Sequence, residues 1–143
     1  MVNARNKGRS GEYEAIGVLQ PIVDRQYGEF MVPPVLERNL EQVRAGGADI
    51  RGLDWCEIEV KRVQKVNVKA WWSQVVKACE GGQRVPILMW RTNRQPWRFR
   101  VKAPVVTGEW SSPALVLDME REPFEVWFDL MCRYHSERLS TRL

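Results

Sequence analysis

The residues best suited to chemistry are Asp49, Glu59 and Lys61, within the stretch that runs from Gly47-Ala48-Asp49 to Cys56-Glu57-Ile58-Glu59-Val60-Lys61. It reads as one strand ending in Asp49, a short turn, and a second strand carrying Glu59-Val60-Lys61. Side chains alternate along a strand, so Ile58 and Val60 face one way and Glu57, Glu59 and Lys61 the other. Glu59 and Lys61 then share a face, roughly 6–7 Å apart at the backbone. Two carboxylates and an ammonium held together suit a divalent cation and the phosphate that it activates. Glu-x-Lys is also ordinary on the wet face of a strand, so the surrounding elements must decide.

Upstream, residues 1–9 carry Arg5, Lys7 and Arg9 and read as a flexible basic arm. Ser10 is placed to cap a helix, with Glu12 and Glu14 in a first turn where the dipole favours acids. Glu12, Ile16, Leu19 and Val23 recur at helical spacing, so Glu12 continues an apolar stripe. A carboxylate there is costly without a partner, which makes it a third acid for the Asp49/Glu59 site; the plainer reading is a glutamate that complements the dipole. Pro21 is expected to kink or end the helix near Gln20. Residues 29–36 read as a strand stopped by Pro33-Pro34, and residues 38–44, with Arg38 and Arg44, as a loop or short helix. Gly46-Gly47 allow a turn or a close approach to phosphate.

Downstream, Arg62 and Lys65 lead to Asn67 or Val68, where a helix starts and runs to about Glu80. Trp71, Trp72, Val75, Val76 and Cys79 form its apolar stripe, and Gly81-Gly82 ends it. Core packing explains the tryptophans better than base stacking does. Val85–Trp90 reads as a central strand covered on both faces. In Trp97–Lys102, Trp97, Phe99 and Val101 alternate with Arg98, Arg100 and Lys102, a cationic row that suits a phosphate backbone. Residues 104–113 are loop-rich, 114–118 form a strand, and Pro123 opens a last helix. Its stripe of Phe124, Trp127, Phe128 and Met131 serves the core or a subunit contact. His135 beyond it reads as a solvated surface residue.

The totals narrow the classes. The chain has 143 residues, enough for one domain with a real core, and no apolar run of membrane-spanning length. Without a secretory apolar stretch it is expected in the cytoplasm, that of the host if phage-encoded. Cys56, Cys79 and Cys132 are odd in number and form no C-x-x-C pair, and the chain has one histidine, which argues against structural zinc and a disulfide framework. The thiols read as small buried hydrophobes. Net charge is +4, but residues 61–102 hold 11 Lys/Arg against the single acid Glu80. A basic middle between acidic flanks is a footprint for a polyanion, unless it is merely a solvated face.

The order of elements is helix with Glu12, strand, strand with Asp49, strand with Glu59-Val60-Lys61, helix, strand, strand. With Lys7-Gly8-Arg9-Ser10-Gly11-Glu12, Gly46-Gly47-Ala48-Asp49-Ile50 and Glu59-Val60-Lys61, it resembles the PD-(D/E)XK nucleases. Within them it is similar to the Holliday junction resolvases of archaeal type and their phage-encoded relatives, over roughly residues 5–102. Ala48 stands where the family's name has proline, and the segment from about residue 104 has no counterpart.

The resemblance implies an α/β fold, a restriction-endonuclease-like mixed central sheet flanked by helices, in a single nuclease domain over 1–143. It implies that Asp49 and Glu59 hold Mg²⁺ (Mn²⁺ can substitute), helped by the Val60 carbonyl, with Glu12 as a further ligand or a neighbouring acid. Lys61 would orient or activate the attacking water, with Gln74 as a minor addition. Four-way DNA junctions are the implied substrate and a homodimer the implied assembly. Arg5, Lys7, Arg9, Arg38, Arg44 and Arg62 are the candidates for DNA backbone contacts. Two rivals stand: a nuclease of the same fold acting on flaps, other branched DNA or duplex, and a DNA-binding module without catalysis.

Overall fold

The computed structural model describes residues 4–40, 49–103 and 115–142. Arg44 and the Gly46-Gly47 turn lie outside the described residues, as do the side chains of Arg5 and Lys7. Among the described residues three helices, α1 (Ala4–Tyr27), α2 (Val68–Ala78) and α3 (Arg121–Thr141), flank one six-stranded sheet. Its strands are β1 (Glu37–Arg38), β2 (Ile50–Arg51), β3 (Cys56–Arg62), β4 (Val85–Arg91), β5 (Arg98–Ala103) and β6 (Leu115–Met119), in that spatial order. β3 and β4 are parallel and the other pairs antiparallel, so the sheet is mixed.

The register sorts the faces. Ile58 pairs with Ile87 and Val60 with Met89, while Glu59 pairs with Leu88 and Lys61 with Trp90. Ile58, Val60, Ile87, Met89, Phe99 and Val101 join the core beneath α1 and α3. On the other face α2 lays Val75, Trp71 and Trp72 over Leu88 and Trp90. The tryptophans are therefore packing groups, as their spacing indicated. Asn67 caps α2, its side-chain oxygen accepting from the Ala70 N–H at 3.2 Å. Past its end, Gly81 takes a φ of +82°, a conformation suited to glycine.

Several expectations are corrected. α1 begins at Ala4, so residues 4–9 are helical and Ser10 lies inside the helix rather than capping it. α1 also continues through Pro21 to Tyr27. The proline removes a bond to the carbonyl of Gly17, which is exposed and open to water. Burial of Leu19, Ile22, Val23 and Tyr27 on the other side holds the helix together. No strand forms over 29–36: the Phe30 and Met31 N–H groups turn back onto the Tyr27 carbonyl, and Val32 is 91% exposed. The strand comes after the prolines, at Glu37–Arg38, because prolines cannot donate to a ladder. Asp49 precedes β2 rather than ending a strand.

α3 buries Phe124, Phe128 and Cys132, so its apolar stripe serves the core. His135 is not a solvated residue. Its ring stacks on Trp55 at 4.6 Å between centroids and 7° between planes, and burial pushes its pKa down to about 4. The unfolded chain then takes up a proton at about pH 6.5, well before the folded one does. Stability is full above that pH and falls as pH drops from about 6.5 to about 4, by about 1–2 kcal/mol once solvent screening of a half-buried ring is allowed for. His135→Phe keeps the stack and removes the titration. Urea unfolding between those pH values should then show a shallower slope in the variant, and identical slopes would refute the assignment.

Candidate active site

The sheet gathers the expected acids at one place although they come from three parts of the chain. Glu59 projects from the middle of β3 and is 3% exposed; Asp49, at the entry to β2, is 6% exposed. Antiparallel pairing of β2 with β3 sets them side by side, with the Asp49 N–H donating to the Ile58 carbonyl at 2.9 Å. The Val60 N–H donates to Asp49 Oδ2 at 2.7 Å, which fixes that carboxylate against β3. The Asp49 carboxylate acts directly on Glu59, and Lys61 Nζ lies 3.1 Å from Glu59 Oε1. Burial and then the Asp49 charge raise the Glu59 pKa to about 7, against the opposing pull of Lys61.

Glu12 reaches the edge of this group from α1. Its carboxylate feels the charges of Asp49 and Lys61, and its pKa is raised chiefly by burial. Its Oε2 accepts a hydrogen bond from Arg38 Nε, so its charge is matched by a guanidinium. Among the described residues no group of three or more His, Cys, Asp or Glu side chains is placed to hold a metal ion. The site therefore offers two carboxylates in contact, with Glu12 beside them. Two neighbouring buried carboxylates have a deficit of positive charge that one ammonium does not remove, and their hard oxygen donors fit Mg²⁺ or Mn²⁺. Mg²⁺ keeps several waters and needs few protein ligands, so two carboxylates and a carbonyl suffice.

The arginines divide differently from expectation. Arg62 is turned inward, its Nε 3.4 Å from Glu14, and Arg91 reaches the same carboxylate at 3.3 Å. A Cβ at Gly11 would stand 2.7 Å from Arg62 Cβ, so the glycine admits this close approach of α1 to β3. Arg62 is thus a fastening of the fold. Arg38 serves Glu12, and its guanidinium and that of Arg9 flank the exposed Tyr13 ring at 5.4 and 5.9 Å. Arg9 is exposed, as a backbone contact requires, and so is Gln74 on α2, away from any described hydrogen bond. Lys61, Arg62, Arg84, Arg91, Arg98 and Arg100, six of the eleven cations of the basic middle, pair with acids of the same chain, Arg98 with Glu120 at the surface. The row on β5 is largely spent this way: Arg100 is held by Asp118 of β6 at 2.6 Å and faces Trp72. Lys65, Lys69, Lys77, Arg94 and Lys102 are exposed and make no salt bridge among the described residues. The sequence concealed the role of Glu14 because its two partners lie some 50 and 80 residues away. No local signal joins them.

The sequence profile of the family described as "Phage putative PDDEXK endonuclease" matches residues 54–128, just over half of the chain. The chain belongs to this family. The match contains Glu59-Val60-Lys61, and the sheet brings Asp49, upstream of the match, beside it. Among solved structures, Hjc from Archaeoglobus fulgidus, a Holliday junction resolvase from an archaeal hyperthermophile, is similar over 82% of this chain and 88% of that one. The identity is 18% and the TM-score 0.45. No curated protein matches the chain. None of its described helices is long and apolar enough to cross a membrane.

Proposed function

We propose that this PD-(D/E)XK family member is a metal-dependent, structure-specific endodeoxyribonuclease that resolves four-way DNA junctions as a homodimer. The observation that carries the catalytic part is the contact of Glu59 with both Asp49 and Lys61 in a buried setting. Asp49, Glu59 and the Val60 carbonyl would hold Mg²⁺, or Mn²⁺ in its place, with Glu12 kept beside them by Arg38. The bound ion would supply an activated water and neutralise charge on the scissile phosphate. Asp49 is held by the Val60 N–H through Oδ2, so its carboxylate keeps a fixed direction. Lys61, pinned to Glu59, presents its remaining N–H groups to the attacking water or a phosphate oxygen. In-line attack then breaks the P–O3′ bond and leaves a 5′-phosphate and a 3′-hydroxyl. Arg9 and the exposed Lys69 and Lys77 of α2 would meet the DNA backbone.

The junction preference rests on the resemblance of the ordered motifs to the resolvases. The test is cleavage of a synthetic four-way junction beside a linear duplex of matched sequence, with Mg²⁺ and with EDTA. The expected result is cleavage of the junction at least about 100-fold faster, a preference of about 3 kcal/mol, and none in EDTA. Equal cutting of both DNAs would remove the resolvase reading and leave a nuclease. Cutting in EDTA would remove the metal.

A further inference from the structure

Three arginines from two separate parts of the chain surround one hollow at the end of the sheet opposite Lys61. The cavity, about 330 Å³, is lined by Arg84, just ahead of β4, by Arg138 in the last turn of α3 and Arg142 capping its end, and by Trp55, His135 and Asp54. Trp55 lies four residues before Glu59 on the chain, about 13 Å away along an extended strand. The cavity is thus a place apart from the carboxylates.

Its charge is not used up internally. Arg84 pairs with Glu57 but remains half exposed, with further N–H donors to offer. Arg138 donates to the Tyr134 hydroxyl at 2.9 Å, a partner without charge. Arg142 makes no salt bridge among the described residues. Arg138 and Arg142 are four residues apart on one helix face, where like charges repel. Cations at a helix C-terminus are ordinary complements of its dipole, but that effect is weak, and it does not explain Arg84, which comes from a different element. Asp54 is the one acid in the lining. The stacked Trp55 and His135 rings complete the lining. Several forked donors around a hollow of this size match the oxygens of a phosphate.

We infer that this cavity binds a phosphate group. Two sources have that chemistry: the backbone of a DNA arm leading away from the catalytic centre, and a small phosphate-bearing molecule. The phosphate chemistry stands independently of the nuclease reading, and only the choice of DNA as its source rests on it.

The first measurement is the melting temperature in inorganic phosphate against chloride at equal ionic strength. About 10 mM phosphate should raise the Tm by about 2–4 °C. The double variant Arg138→Gln/Arg142→Gln should lose that rise. Arg133→Gln, on the outer side of the same helix where Arg133 pairs with Glu137, should keep it. Asp54→Asn should tighten phosphate binding about two- to fivefold by removing the opposing charge. A wild-type rise no greater in phosphate than in chloride, or a full rise in the double variant, would overturn the inference.

The second measurement is binding of a four-way junction in EDTA. A loss of about tenfold in the double variant assigns the phosphate to DNA. Unchanged DNA affinity together with a lost phosphate response assigns it to a small molecule. Neither outcome depends on cleavage, so a failure here is separable from a failure of Glu59→Gln to abolish cutting.

Discussion

Replacing Glu59 with Gln should abolish DNA cleavage, by about 10³-fold or more, while making the metal-free protein more stable. The two effects have one cause. Glu59 is buried, touches Asp49, and carries a pKa raised to about 7 by burial and by that neighbour. Gln keeps the shape, can donate a hydrogen bond to Asp49 where an ionised Glu cannot, and removes one of two repelling buried charges, a gain of about 1 kcal/mol. It also removes half of the carboxylate charge available to a cation. Asp49→Asn should be equally inactive, since its remaining amide oxygen still accepts from the Val60 N–H and leaves β3 in place. Lys61→Ala differs in sign. It strips the cation that lies 3.1 Å from Glu59, leaves a buried carboxylate without it, and should cost about 1–3 kcal/mol as well as activity. Thermal melts beside a junction-cleavage assay read all three. A merely structural role for these residues predicts that activity falls only as stability falls. Glu59→Gln protein retaining a tenth or more of the wild-type rate would sink the catalytic assignment.

What the sequence disclosed here follows the range of the physics involved. The face shared by Glu59 and Lys61 was legible because strand alternation is local, and the Asn67 cap and the continuous run of β4 were legible for the same reason. The approach of Asp49 was legible through the motif order, and its contact with Glu59 follows from the β2–β3 pairing. Charge was the deceptive signal. A count of eleven cations over residues 61–102 reads as an outward field, yet Glu14, Glu57, Glu59, Asp118 and Glu120 draw six of them into internal pairs. Arg62, expected on DNA, ties β3 to α1. His135 deceived in the opposite sense, since a polar residue late in an exposed-looking helix turned out to lie against Trp55, which no helical periodicity encodes. Pro21 and Pro33-Pro34 show the same limit: the first was outweighed by long-range burial, and the second displaced a strand that the hydrophobic pattern alone would allow.

The segment from about residue 104 was expected to have no counterpart in the family, but the family match runs through residue 128 and so takes in β6 and the start of α3. α3 fills the centre of the core, and Phe124→Ala should show this by costing about 3–5 kcal/mol. Phe124 is fully buried. Its ring stacks on Phe99 of β5 with centroids 3.9 Å apart and planes 7° apart, and it lies 5.6 Å from the Phe128 ring and 5.8 Å from Trp127. Truncation removes the apolar burial and leaves a void between α3 and the sheet, where four aromatic rings meet. A domain of this size is stable by only about 5–15 kcal/mol, so the loss is a large part of the total. Phe124→Leu retains most of the volume and should cost about 1–1.5 kcal/mol. Urea titration of both variants, read through the midpoint at constant slope, measures the difference. If α3 were an appendage on a self-sufficient sheet, the Ala variant would unfold in two steps, with the midpoint of the main step unchanged. Docking of α3 as part of the core predicts one cooperative transition at lower urea, with junction cleavage disappearing over the same range, because β5 supports β4 and β4 in turn supports the strand that carries Glu59 and Lys61.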